Sequence, residues 1–481
     1  MTPKIFIPRA WQPLMVSHVI DCARGGKFVA MGMGKTTSTL TAVDALQMSG
    51  TVRMPLVVGP IRVARSTWPD EVQKWTHLAH MTVAVIVGDV PERERALKQA
   101  LAGACSFATT NYENLPWLVE TLTAWRKPWP FDMLVADELT KLKSFRLRQG
   151  GKRAACLRPF AHKDIKRFVG LTGTPSPNGL QDLWGQVWFI DQGQRLGRTY
   201  SAFTDRWFQS VPNDGGYSQI RPLPHAQDEI QDAIKDVCLS IDPHDYFDLK
   251  KPIQSSVFID LPYKAKQLYK EMEKQFYIEI EHDLKRYGVE AVNAGAKSQK
   301  LRQLASGAIY LDAACDGENH ERSRFHKVVH DAKMEALDGI IEEACGAVIL
   351  VAYQFKSDLA RLKKAFPQGR HFDSDPQTLA DFKAGKIPLL FIHPKSGGHG
   401  VDGMQEACNI IVFFSADWNL EERKQVIERI GPMRQMQAGK DRPVYVYDIL
   451  ARGTIDEIML SRHESKADVQ ALLMQALKGA I

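Results

Sequence analysis

The sequence is poor in the features that mark several large protein classes. Its 7 cysteines stand far apart, at positions 22, 105, 156, 238, 315, 345 and 408, with no Cys-x-x-Cys pair. That spacing offers neither a zinc site nor a disulfide framework, and it suits reduced thiols in a cytoplasm. No apolar run approaches the ~18 residues of a membrane-spanning helix. The opening "MTPKIFIPRAWQPL" lacks the apolar stretch and cleavage site of a secretory leader. A cytoplasmic protein with no membrane partner is therefore expected. No low-complexity tract and no repeat of a solenoid's period breaks the chain. Nor does one sign of charge dominate: 62 Lys and Arg face 56 Asp and Glu, a net +6. Such a balance accommodates a nucleic-acid partner without requiring one.

What is present is alternation. The segments "PLVVGP", "VAVIVG", "DMLVADE", "RFVGLTGT", "AVILVAY", "IPLLFIH", "NIIVFFS" and "VYVYDI" are compact, apolar and often β-branched. Stretches with helical spacing, such as "RSTWPDEVQKW" and "KSDLARLKKAF", lie between them. Strand alternating with helix predicts an α/β fold with parallel sheets. Four of these strands precede residue 175 and four follow residue 345, which predicts two lobes. With roughly 100–200 residues per domain, the 481 residues divide into a first lobe over 1–240, a connecting segment with a helical insertion over 241–332, and a second lobe over 333–481. The insertion is the segment "YKAKQLYKEMEKQFYIEIEHDLKRYG", which reads as one long helix.

Two short motifs carry chemistry. "KFVAMGMGKTT" runs from an apolar strand into Gly32, Gly34, Lys35 and Thr36. A phosphate-binding loop needs main-chain N–H groups free to face an anion at a helix N-terminus, which glycine permits. Lys35 then reaches the outer phosphates and Thr36 ligates Mg²⁺. Val29 stands where the general pattern has its first glycine. "FDMLVADELTKLKS" ends an apolar strand on Asp137 and Glu138. A strand-end acid beside a phosphate loop holds Mg²⁺, so Asp137 joins Thr36 as a metal ligand. Glu138 is placed to polarise the attacking water. The segment 141–167 adds ten Lys or Arg and one acid, Asp164. That density suits phosphate contacts, and the absence of interleaved aromatics favours a duplex backbone over stacked single strands.

Taken in order, these motifs resemble the superfamily 2 motor ATPases, most closely the Swi/Snf-type double-stranded DNA translocases. "PRAWQ" resembles the adenine-recognition segment, "GMGKTT" motif I, "PLVVGPIRVARSTWPDEVQKW" motif Ia, "ATTNYENL" motif Ib, "ADELTKLKS" motif II and "LTGTPSPN" motif III. "HPKSGGHG" and "VDGMQEACNIIVFFSADWNLEERKQVIERI" resemble motifs V and VI. The compact form is similar to members carried by bacteriophages and prophages. The resemblance implies two RecA-like lobes, ATP and Mg²⁺ as cofactors, and nucleic acid as partner, with double-stranded DNA favoured. It implies nucleotide contacts at Arg9, Gln12, Gly32, Met33, Gly34, Lys35, Thr36 and Thr37, and coupling through Thr172, Gly173 and Thr174. From the second lobe it implies Gln425 and Arg429, which sit four residues apart and so on one helix face. Nucleic-acid contacts are implied at Arg62, Thr110, Asn111, Lys141, Lys143, Lys395, Ser396, Gly397, Gly398 and Trp418.

Two departures matter. Motif VI has Pro432 where its second arginine belongs. Proline cannot continue a helix interior, so a break is expected there, leaving Arg434 as the candidate arginine finger. Gly403 replaces an apolar residue of motif V and is expected to loosen that turn. Two other readings stay open: a strand-separating helicase on DNA or RNA, and a non-catalytic clamp, against which stand Lys35, Thr36, Asp137, Glu138 and Arg429. A protein partner from replication, recombination or repair is compatible with a bare motor.

Overall fold

The computed structural model describes residues 3–30, 32–148, 151–212, 218–242, 245–246, 249–274, 292–310, 326–373, 375–397, 403–416, 419–440 and 442–462. They form two compact units, with the first running to Asp248 and the second beginning at Leu249. Each is an α/β body with its own sheet and cores.

In the first unit the strands are β1 (Arg24–Val29), β2 (Pro55–Gly59), β3 (Val83–Ile86), β4 (Phe107–Asn111), β5 (Met133–Asp137) and β6 (Arg167–Thr172). An antiparallel pair follows, β7 (Phe208–Pro212) with β8 (Ser218–Pro222), and then β9 (Cys238–Ile241). The seven-stranded sheet has the order β3-β4-β2-β5-β6-β1-β9, and every pairing in it is parallel. Side chains alternate across it: Leu56 and Val58 enter one core, Val57 the other. Burial on both faces explains why these strands read as continuous apolar runs. β1 lies between β6 and β9, two strands from far later in the chain. Arg24 at its start fastens that arrangement, donating to the carbonyls of Ile190 (2.9 Å), Ile165 (2.6 Å), Ala161 (2.8 Å) and Phe189 (2.6 Å).

The second unit contains β10 (Ile253–Ile259), β11 (Ala308–Tyr310), β12 (His326–Val328), β13 (Ile349–Ala352), β14 (Arg370–His371), β15 (Leu389–Ile392), β16 (Ile410–Phe413) and β17 (Tyr445–Ala451). Six of them form a parallel sheet in the order β10-β17-β16-β13-β15-β14, while β11 and β12 pair antiparallel. β10, drawn from the segment read as connecting, is an edge strand of this sheet. Residues 263–274 are helical, as the insertion requires; the rest of that predicted helix, to residue 288, lies outside the described residues. Among the described residues no helix is long and apolar enough to cross a membrane.

All eight strands expected from apolar runs form. The helix Leu420–Ile430 ends at Gly431, and a separate short helix, Pro432–Gln437, carries Arg434, so the break expected at proline is there. Gly403 has φ +92°, a left-handed backbone that a side chain would strain. Its turn therefore requires glycine, which is the physical reason for that departure from the motif.

Candidate functional site

The phosphate-loop candidate grows out of β1. Gly32 and Gly34 both have positive φ, +82° and +79°, and Gly34 caps the helix Lys35–Met48. The backbone at Gly34 would strain any side chain, and a Cβ there would also have to push the Gln12 amide aside. The segment before the first helix packs on this loop. Trp11 Nε1 donates to the Met33 carbonyl at 2.8 Å, and the Arg9 N–H donates to Gln12 Oε1 at 2.8 Å. Gln12 thus stands against the loop at Gly34, Arg9 holds Gln12 through its main-chain N–H, and Met33, inside the loop, is tied to Trp11 by its main-chain carbonyl. Lys35 Nζ donates to the carbonyls of Val29 (2.6 Å) and Ala30 (3.1 Å). Thr37 is buried and its hydroxyl donates to Glu71 Oε2 at 2.7 Å, which orients its side chain toward that carboxylate. Thr36 is half-buried at the start of the helix.

Asp137 ends β5. Its Oδ2 accepts the indole N–H of Trp68 at 2.9 Å. Burial raises its pKa above the ordinary carboxylate value, while the Trp68 hydrogen bond and the Lys35 ammonium pull it back down. Lys35 and Asp137, about a hundred positions apart in sequence, therefore share one electrostatic environment.

Glu138 has φ +66° and ψ +62°, a left-handed conformation rare for a residue with a side chain. Such backbone costs about 1–3 kcal/mol and persists where neighbours hold it. Tyr112 Oη donates to the carbonyls on both sides of the turn, Asp137 O at 3.0 Å and Glu138 O at 3.2 Å. The Glu138 carboxylate accepts from Thr140 Oγ1 (3.0 Å) and Thr172 Oγ1 (3.2 Å). Thr172 in turn accepts the Thr174 N–H at 3.0 Å, and Gly173 lies between them. The structure therefore joins the segments 110–112, 137–140 and 172–174 into one hydrogen-bonded group.

The donor set fits a hard divalent cation such as Mg²⁺, with an oxygen carboxylate at Asp137 and a hydroxyl at Thr36. Among the described residues no group of three or more His, Cys, Asp and Glu is placed to hold a metal by itself. Phosphate oxygens and water must supply the remaining ligands, as they commonly do for Mg²⁺.

The nucleic-acid candidates divide. Lys141 is exposed, Arg62 half-buried, and Lys143 half-buried with its Nζ 3.8 Å from Asp182. Thr110 is corrected: its side chain has no exposed surface and donates to Ile86 O at 3.0 Å, so it fastens β4 to β3 instead of facing outward. Asn111 is also buried, donating to Glu113 Oε2 at 2.9 Å. Much of the basic segment is likewise used internally. Arg146, Arg158, Lys166 and Arg167 donate to main-chain carbonyls, and Arg153 pairs with Glu113 at 2.9 Å. Charge density in a sequence cannot distinguish a guanidinium facing solvent from one capping a helix end.

In the second unit, Gln425 and Arg429 are both buried on the helix Leu420–Ile430, and Arg434 is half-buried on the next. Lys395 is exposed on the short turn after β15 that also holds Ser396 and Gly397. Gly398 and Trp418 lie outside the described residues.

Reading by motif missed Glu71, and also Trp11, Trp68 and Tyr112. Each lay inside a motif segment, but an indole or phenol there reads as ordinary core. Only the structure shows the polar end of each ring meeting the site.

A family model described as the SNF2-related domain matches residues 22–319. Protein p41 of Acyrthosiphon pisum secondary endosymbiont phage 1 is 50% identical over 477 residues, covering 99% of both chains. The ISWI chromatin-remodeling complex ATPase ISW1 of Saccharomyces cerevisiae is 23% identical over 479 residues. That match takes in 92% of this chain but 38% of the yeast protein, so this chain spans well under half of that relative. A solved Sulfolobus solfataricus SWI2/SNF2 ATPase core in complex with dsDNA is 19% identical, covering 98% of this chain and 95% of that one, with a TM-score of 0.43.

Proposed function

The chain belongs to the SNF2-related family, and from that premise we propose that it is an ATP-driven motor on double-stranded DNA whose hydrolysis DNA stimulates. Lys35 and the N–H groups of the glycine loop bind phosphate oxygens. Gln12, held against Gly34, reads the base. Thr36 and Asp137 hold Mg²⁺, which when bound neutralises charge on the phosphates. Glu138 takes a proton from the attacking water at its carboxylate. Gln425, Arg429 and Arg434 of the second unit complete the site in the same proposal, with Arg434 as finger. Outward-facing cations such as Lys141 and Lys395 track the duplex backbone. For a phage-encoded chain the setting is the bacterial host cytoplasm.

The observation that carries this reading is the left-handed Glu138. Its carbonyl accepts from Tyr112, inside the motif Ib segment, and its carboxylate accepts from Thr172 of motif III. A polymer pulling on either segment therefore acts on the candidate base directly. The test is the steady-state ATPase rate alone and with single-stranded, duplex and branched DNA and RNA, using Lys35→Ala as control. Duplex stimulation that is lost in the control supports the proposal. Stimulation by single strands alone would replace it with strand separation, and no hydrolysis on any polymer would replace it with a clamp.

A further inference from the structure

We propose that Trp68 is a positioning residue that sets the metal-facing orientation of Asp137. The inference rests on the ATPase reading above and adds a residue to it. Trp68 opens the helix Trp68–Lys74, directly after one turn of π-helix over Val63–Thr67. Such turns are rare and often lie at functional sites. The ring is fully buried and meets Phe107 edge-on, with centroids 6.4 Å apart, so its direction is fixed by packing. Its Nε1–H has one acceptor, Asp137 Oδ2 at 2.9 Å.

A buried aromatic needs no carboxylate to pack. An N–H to a carboxylate is charge-assisted and about twice as strong as a neutral pair. It occupies one carboxylate oxygen and fixes the plane of the other. Partners of this kind around metal-ligating carboxylates tune metal affinity by about 10–100-fold. Nearby, Glu71 binds the same helix to the loop helix, accepting from Thr37 Oγ1 at 2.7 Å and from Trp75 Nε1 at 2.5 Å. The helix that ends the motif Ia segment thus touches both ends of the proposed phosphate site. Arg62, implied on nucleic acid, stands just before the π turn that aims Trp68.

Trp68→Phe keeps the apolar ring and removes the donor. Equilibrium binding of a fluorescent ADP is measured with and without Mg²⁺, alongside the Mg²⁺ dependence of hydrolysis. The expected result is an Mg²⁺ requirement raised about 10-fold or more, with metal-free ADP binding unchanged. Phe107→Leu, which loosens the packing without touching the N–H, should lower Tm and leave the Mg²⁺ requirement at its wild-type value. If Phe107→Leu raises the requirement as much as Trp68→Phe does, packing explains the effect and the proposal fails. Should Trp68→Phe not fold, the otherwise unaltered chain labelled with ¹⁵N at its 10 indoles decides the matter. One indole signal should move on Asp137→Asn, and the same one on adding Mg²⁺ with ADP. An Mg²⁺ dependence unaltered in Trp68→Phe, or no indole responding to both changes, overturns the inference while leaving the ATPase reading intact. Wild-type protein that binds no nucleotide overturns that reading and the inference with it.

Discussion

Both units wrap a parallel sheet in helices, yet their buried polar groups are arranged differently. In the second unit Asp358 is fully buried and accepts from Ser306 (2.9 Å), Ser415 (2.8 Å) and the Phe355 N–H (3.2 Å). Arg361 donates to the carbonyls of Ser306 and His330, and Lys333 pairs with Asp456 at 2.7 Å with almost no exposure on either side chain. These groups satisfy one another and hold the chain together. In the first unit the polar groups converge on the ends of strands. There Glu138 sits in strained backbone beside Asp137, and Tyr112 holds the carbonyls of both. The polar groups named in the second unit close on one another, and those named in the first gather at strand ends, where the proposed site lies.

The largest test of that division is Arg434. If it is the finger, the second unit also contributes chemistry, and Arg434→Ala lowers the DNA-stimulated rate by about 10³–10⁵ in a steady-state assay while the fold is retained. A rate near wild type would leave catalysis to the first unit. Lys333→Met comes next. It strands the Asp456 carboxylate, so the second unit should lose about 3–5 kcal/mol in urea unfolding. A loss below about 1 kcal/mol would mean that the pair is not structural.

A smaller effect is expected at Tyr112, where the first unit's strain is held. Tyr112→Phe removes the one O–H shared between the carbonyls of Asp137 and Glu138, at a cost of about 1 kcal/mol. The fold stimulation by duplex DNA should drop about 5-fold, that cost expressed as a rate. Unchanged stimulation would remove Tyr112 from the coupling.

The last test concerns acid. Burial pushes the His330 pKa down to about 4 from 6.5, with Arg361 and Lys333 adding to the shift and Asp331 opposing it. Between those values the unfolded chain binds a proton that the folded unit refuses. Stability therefore falls as the pH drops through 6.5 toward 4, by at most about 1.4 kcal/mol per pH unit. Urea melts across that range should show a flatter acid limb for His330→Gln than for wild type. Equal limbs would place the slope elsewhere.

The sequence revealed strands where burial on both faces is filled by apolar residues alone, as in "VVG" or "ILVA". It hid β4, β9 and β10. "FATTN" carries two threonines whose hydroxyls bond to the main chain, "CLSI" is too short to stand out, and β10 is an edge strand with half its residues exposed. The motif residues themselves were legible because spacing and residue type carry their chemistry. Their supports were not. Nothing in "STWPDE" distinguishes an indole that packs from one that also donates to Asp137, and nothing in "ADEL" announces a left-handed glutamate. The basic run at 141–167 was legible as charge but not as the helix-capping and carbonyl-holding set that much of it proves to be.

The position of β1 bears on how the chain is made. Its sheet neighbours, β6 and β9, end at Thr172 and Ile241, and Arg24 at its start needs carbonyls 137 to 166 positions downstream. On a ribosome adding roughly 5–20 residues per second, the strand that launches the glycine loop waits on the order of 10–40 s for both flanks. Until then its two edges are open to other strands, and its buried Lys27 has no shelter from water. Within its unit, the glycine loop is among the first segments to be translated and among the last to be enclosed.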